Sequence, residues 1–173
     1  TMDHEEEILL DVNILAENES FLEVGSVAVS PDNKLMSFST DNVGRRIYTL
    51  SFKNLENGEL FGEKIPNTTG KAVWANDNKH VFYTRKDENL RAFQVFRHQL
   101  GTPYEHDVLI FHEKDEAFDV NIFKTKSLEY IFISSSSSVS DEMHFIPAGD
   151  VFSEWKVIQP RTEDLEYSVE HYE

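Results

Sequence analysis

The chain contains no cysteine, which excludes a disulfide framework and any thiolate metal cluster. Glycine and proline are sparse, 7 and 5 in 173 residues, too few for a flexible linker or a low-complexity segment. Bases are outnumbered by acids, 16 against 32, for a formal net charge of −16. Such a surface repels phosphate backbones, so no nucleic-acid partner is expected. It serves solubility, or it attracts basic peptides. No stretch approaches the roughly 18 consecutive apolar residues of a membrane helix, and no basic start leads into an apolar leader core. No membrane partner is therefore expected, and the expected compartment is the cytoplasm. The sequons Asn18-Glu19-Ser20 and Asn67-Thr68-Thr69 matter only in a secreted chain.

What the chain does have is aromatic and β-branched residues in short runs. The aromatic share is 12%, with Phe 13 and Tyr 6, a composition that favours strands. One stretch, AVWANDNKHVFYTRKD from Ala72 to Asp87, sets the pattern: two β-rich runs flank a polar turn. The same grammar occurs upstream as VAVSPDNKLMSFSTD from Val27 and downstream as FDVNIFKTKSLEYIFISSS from Phe118. Alignment on Asn33, Asn78 and Ser127 gives intervals of 45 and 49 residues. A period near that size carried by short strands marks the blades of a β-propeller.

The expected organisation is a lead-in over 1–22, blades over 23–70, 71–116 and 117–163, and the start of a further blade over 164–173. Residues Asp3 to Glu7 form an acidic run, and Asp11 is placed to cap a short helical turn reaching Ala16. In the first blade Pro31 and Asp32 shape the turn after Val24–Val29. Asn57-Gly58 reads as a type I′ hairpin between the third and fourth strands, the fourth being poorly marked near Glu63–Pro66. Glycine recurs at the corresponding turns as Gly58, Gly101 and Gly149. Three blades leave open faces and unpaired sheet edges, so pairing with a second copy is one route to cover them.

Catalytic patterns are absent. Gly25-Ser26-Val27 lacks the second glycine of a nucleophile elbow, and the serines of Ser134–Ser140 read as a strand end and a loop. None of the seven histidines has H-E-x-x-H spacing. His98 and His144 fall on equivalent third strands, where packing between blades is their ordinary role. The acidic pairs Asp87-Glu88 and Asp115-Glu116 fall in turns, and adjacency alone does not make a glycosidase pair. No catalytic, cofactor-binding or metal-ligating residue is assigned. The densest charged loop holds Arg85, Asp87, Glu88 and Arg91. It is either a solvated connection or a contact with another domain, since loops at blade ends carry propeller function.

Several long strings resemble the oligopeptidase B branch of the prolyl oligopeptidase family of serine peptidases. They are LLDVN from Leu9, AVSPDNKLMSFSTDNVGRRIYTL from Ala28, VWANDNKHVFYTRKDENLR from Val73, QVFRHQLGT from Gln94 and EYSVEH from Glu166. The resemblance implies an all-β fold, a partial propeller of about three four-stranded antiparallel blades out of seven. It also implies a partner α/β-hydrolase domain that carries the Ser-Asp-His triad, lies outside this chain and cleaves short peptides after Arg or Lys. The propeller would gate the passage of those peptides. The alternative is a free-standing propeller-like module that presents its loops to a protein partner, with a sugar-binding propeller as a further possibility.

Overall fold

The computed structural model describes residues 7–172. The acidic run from Asp3 and the first histidine, His4, lie outside the described residues except for Glu7. Among the described residues, helix α1 (Val12–Ala16) is followed by eleven strands. These are β1 (Glu23–Val29), β2 (Leu35–Asp41), β3 (Tyr48–Asn54), β4 (Leu60–Trp74), β5 (His80–Lys86), β6 (Ala92–Gln99), β7 (Val108–His112), β8 (Asp119–Lys124), β9 (Tyr130–Ser136), β10 (Asp141–Pro147) and β11 (Lys156–Val157). Asp11 caps α1 by accepting from the backbone N–H of Asn13 at 2.9 Å and of Ile14 at 3.3 Å. The lead-in rests on the outer hairpin of the first blade, where the Lys53 ammonium donates to the Leu9 carbonyl at 2.6 Å.

All the pairings are antiparallel. Strands β1 to β7 form one ladder in chain order, and β8 to β11 form a second. The first ladder is two blades sharing one strand. The expected fourth strand near Glu63–Pro66 and the expected inner strand Ala72–Trp74 are the two halves of β4, a single run of 15 residues. Its first half pairs with β3 and its second half with β5. The bend between them falls where Asn67 (φ 59°) and Gly70 (φ 95°) are left-handed and the register with β5 shifts. Gly70 is required there twice over: a Cβ would lie 2.9 Å from the Tyr48 ring.

Two cores separate the blades, and the middle blade supplies both. From one face, Ala72, Trp74, Val81 and Tyr83 pack on Leu50, Phe52 and Ile65 of the first blade. From the other, Val73, Phe82 and Val95 pack on Val120, Ile122, Ile131, Ile133 and Ile146 of the third. Strand periodicity of two makes this possible: Val81 and Tyr83 point one way and Phe82 the other. The Trp74 indole N–H crosses the first seam to the Ala28 carbonyl and the Ser37 hydroxyl, both at 3.1 Å. His98 and His144 are inter-blade packing residues as expected. His98 stacks on Phe52 of the first blade, and His144 tilts against Phe111 of the second.

The turns correct the reading in detail. The turn joining β1 to β2 closes from the Asn33 N–H to the Ser30 carbonyl, and its equivalents close from Asn78 to Ala75 and from Leu128 to Thr125. The third-blade equivalent of Asn33 is therefore Leu128, not Ser127, and all three are left-handed at φ 61°, 59° and 63°. Asn57-Gly58 is no type I′ turn, because Gly58 alone is left-handed there. The Asn54 carboxamide instead accepts from the N–H groups of Glu56 and Asn57, building a longer loop that closes on Gly58. Gly101 is also left-handed, whereas Gly149 has no positive φ.

Among the described residues the expected strand Tyr167–His171 has no ladder partner. Its side chains still alternate: Leu165, Tyr167, Val169 and His171 are half-buried while Glu166, Ser168, Glu170 and Tyr172 are exposed. Tyr167 accepts from the Met143 N–H at 2.9 Å, and His171 lies edge-on to Tyr130. The segment has the period of a strand lying on the third blade. Among the described residues no helix is long and apolar enough to cross a membrane.

Candidate functional site: the loop rim

Antiparallel order divides the turns between two rims. The loops β2–β3, β5–β6 and β9–β10 share one rim with the crossings between blades. In each of these loops an acceptor at the base organises the backbone. Asp41 accepts from the N–H groups of Val43 at 2.8 Å, Gly44 at 3.0 Å and Arg46 at 2.6 Å. Asp87 accepts from Asn89 at 2.9 Å and Arg91 at 3.0 Å. The Ser137 hydroxyl accepts from Val139 at 3.3 Å and Ser140 at 3.0 Å. Burial pushes the Asp41 carboxyl up, but its backbone donors outweigh that and hold it below the ordinary carboxylate range.

The four charged residues singled out from the sequence do not form one exposed cluster. The Arg85 guanidinium turns inward, 4.6 Å from the Phe96 ring centroid, and donates to the Tyr83 hydroxyl at 3.2 Å. Arg91 pairs with Asp87 at 3.0 Å and donates to the Phe118 carbonyl at 2.8 Å, tying the loop to the crossing into the third blade. Glu88 remains exposed at the tip beside Asn89 and Leu90.

A second anchor on this rim escaped sequence reading. Arg161, beyond the last strand, donates to Glu113 and to Ser135 and lies 3.5 Å above the Phe118 ring. Ser135 also donates to Glu113, so this serine of the run is structural. Burial raises the Glu113 carboxyl, but the bonds from Arg161 and Ser135 prevail and hold it below the usual range. Arg161 and Glu113 are 48 residues apart, and no local spacing rule connects them.

Deeper in the first seam, Asp107 accepts from the His98 ring at 2.7 Å and from the Tyr83 hydroxyl at 2.8 Å. Burial, then the Asp107 charge, holds the Tyr83 phenol far above its ordinary range. His98 is fully buried, and among the described residues its Nε2 has no hydrogen-bond partner. It faces the Glu63 carboxylate at 3.7 Å. This pairing of histidine and aspartate resembles part of a catalytic triad, but it is sealed in the seam against Phe52 and braces the two blades. Among the described residues no group of three or more His, Asp or Glu is placed to hold a metal ion.

The family model for the N-terminal β-propeller domain of prolyl oligopeptidase matches residues 1–173. The chain belongs to this family. It is 40% identical over 169 residues to dipeptidyl aminopeptidase BI of Pseudoxanthomonas mexicana, covering 96% of this chain and 23% of that protein. It is 36% identical over 173 residues to protease 2 of Moraxella lacunata, covering 99% of this chain and 25% of that protein. The solved oligopeptidase B from Leishmania major superposes with a TM-score of 0.91 at 30% identity, over 95% of this chain and 23% of that one. Within the prolyl oligopeptidase family, then, the chain spans about a quarter of the length of these relatives, in their propeller portion.

Proposed function

We propose that this chain is the non-catalytic gate of a serine peptidase that cleaves short peptides after Arg or Lys. In this reading the Ser-Asp-His triad lies in an α/β-hydrolase domain beyond the described residues. The propeller has seven blades, of which 23–70, 71–116 and 117–163 are three. Residues 1–22 lead in, and 164–173 begin the next blade. The observation that carries the reading is the pair of apolar seams flanking the middle blade. Stiff seams keep folded proteins out and leave entry to the joint between the domains, whose closure shields the site from water.

The β5–β6 loop, with Arg85, Asp87, Glu88 and Arg91, is placed in this reading at the contact with the hydrolase domain. Its internal pairs hold its shape, and Glu88 is free to reach across. The net charge of −16 steers cationic peptides toward the mouth. The assigned compartment is the cytoplasm, and the unpaired strand edges leave room for association with a second copy.

The test compares this chain with the full-length protein on a fluorogenic dipeptide ending in Arg. The full-length protein should cleave it with a kcat/KM that falls as salt rises, and the 173-residue chain should give no turnover. Turnover by the chain alone would overturn the reading. The 40% identity to a dipeptidyl aminopeptidase supports a second reading, in which the parent removes dipeptides from free N-termini. Blocking the substrate's N-terminus separates the two: an endo-acting oligopeptidase keeps its rate, and an aminopeptidase loses it.

A further inference from the structure

The third blade departs from the other two at both ends of its first turn. The residue just before the turn is Val29 in the first blade and Trp74 in the second, but Lys124 in the third. The left-handed turn residue is Asn33, then Asn78, then Leu128. Blade packing asks for neither change, since two blades make the same turn without them. Both departures border one cavity of about 370 Å³, which Val29, Pro31 and Trp74 also line. The inner strands of all three blades reach it, through Val29, Trp74 and Lys124. Only the axial side of a propeller is bordered by the inner strands of successive blades. The cavity therefore lies at the axis, on the rim opposite to the crossings.

Lys124 is a half-buried cation without an anion. Its ammonium donates to the Trp74 carbonyl at 3.0 Å and to the Asn76 side-chain oxygen at 2.5 Å, both neutral acceptors. An ammonium has three N–H donors, so one donor and the charge itself are uncommitted. Among the described residues Lys124 forms no ion pair, in a chain with 32 acids and 16 bases. Burial holds the ammonium below the ordinary lysine range, and the attraction of Asp77 offsets this only in part. The walls around it are fixed, because the turns of this rim are bonded to one another. The Asp32 N–H donates to the Asn78 side chain, and the Asn76 side chain donates to the Leu128 carbonyl. A site held ready in this way loses little entropy when a ligand enters.

We infer that this axial cavity binds an organic carboxylate with an apolar group beside it, the chemistry of a short peptide's C-terminus. Lys124 takes the carboxylate, and Val29, Trp74 and Leu128 take the apolar side chain. One ammonium among apolar walls suits such a ligand. It does not suit phosphate, which would shed more water for the same single charge. The peptide as occupant rests on the reading of the chain as the propeller of a peptidase, whereas the carboxylate site stands on this chain's own residues.

The experiment is equilibrium dialysis of the full-length protein against acetyl-Ala-Leu, which offers no Arg or Lys to cleave after, as the free acid and as the C-terminal amide. Hexanoate and hexanamide form a second pair. The acid is expected to bind about tenfold or more tighter than its amide. Lys124→Met should abolish that preference. Lys126→Met, which removes an equal charge two residues away and outside the cavity lining, should keep it within about twofold. Leu128→Asn should weaken acid binding about threefold or more while raising the melting temperature. A merely destabilised fold does not give that pairing, so this variant decides the matter if Lys124→Met does not fold. A preference for either acid over its amide supports the site, and the tighter acid tells a peptide terminus from a simple carboxylate. Acid and amide binding alike, a preference that survives Lys124→Met, or displacement of the peptide by an equal concentration of inorganic phosphate would overturn the inference. An inactive parent would remove the peptidase reading, and the comparison of acid with amide would still decide the site.

Discussion

The imidazole of His98 lies face to face with the ring of Phe52 across the first seam, centroids 5.5 Å apart and planes 13° from parallel. One residue comes from the third strand of the second blade and the other from the third strand of the first. The stack joins two hydrophobic faces to a buried polar group, and the polar group is satisfied on one side only, by Asp107.

Replacing Asp107 with Ala should therefore be costly. The change strips the partner from both the His98 ring and the Tyr83 hydroxyl in a region closed to water. Two buried donors left without an acceptor cost about 2–5 kcal/mol together, and the Tyr83 hydroxyl keeps only the bond that it accepts from Arg85. Urea unfolding should show a lower midpoint with an unchanged slope. A loss under about 1 kcal/mol would mean that water reaches the seam.

Glu113 and Arg161 predict an acid-sensitive anchor. The folded-state carboxyl is held below its usual range, so its contribution is present above the unfolded value of about 4.3 and fades as pH drops through the lower folded value. Glu113→Gln should cost about 2–3 kcal/mol near neutrality, because Arg161 loses its charged partner in a half-buried site. The variant's stability should also vary less with pH below about 5. Thermal melts of both proteins across pH 3–7 check this.

Leu128 is open to improvement. It holds φ 63°, where Asn33 and Asn78 sit in the other blades, and it is 57% exposed. Leu128→Asn should stabilise the chain by about 0.5–1 kcal/mol, raising the melting temperature by about 1–4 °C. The bond from Asn76 survives, since it reaches the backbone carbonyl and not the side chain.

Gly58 and Gly70 separate backbone strain from steric clash. Both have positive φ, 77° and 95°, but a Cβ at Gly58 meets open space while one at Gly70 meets the Tyr48 ring. Gly58→Ala should cost about 1 kcal/mol, the conformational part alone. Gly70→Ala should cost at least about 2 kcal/mol more, because the Tyr48 ring is itself buried and cannot swing into solvent. Equal losses at the two positions, read from chemical denaturation, would show that Tyr48 yields.

The sequence alone determined what is settled within four or five residues or by a period of two. The Asp11 cap, the left-handed Asn33 and Asn78, the glycine closing the loop at Gly58 and the alternation of Val81, Phe82 and Tyr83 all follow from local turn chemistry and strand pleat. The recurrence of these units carried the propeller, and with it the inter-blade places of His98 and His144. Tertiary structure decided the rest. That Leu128 answers to Asn78 depends on which hydrogen bond closes the turn, and the polar residues nearby mislead. That β4 runs unbroken through two blades depends on a bend at Asn67 and Gly70 that preserves the ladder. The inward turn of Arg85, the pairing of Asp87 with Arg91 and the clasp of Arg161 on Glu113 arise only when radial packing brings distant segments together. A charge in the sequence carries no record of the partner that stacking will place beside it.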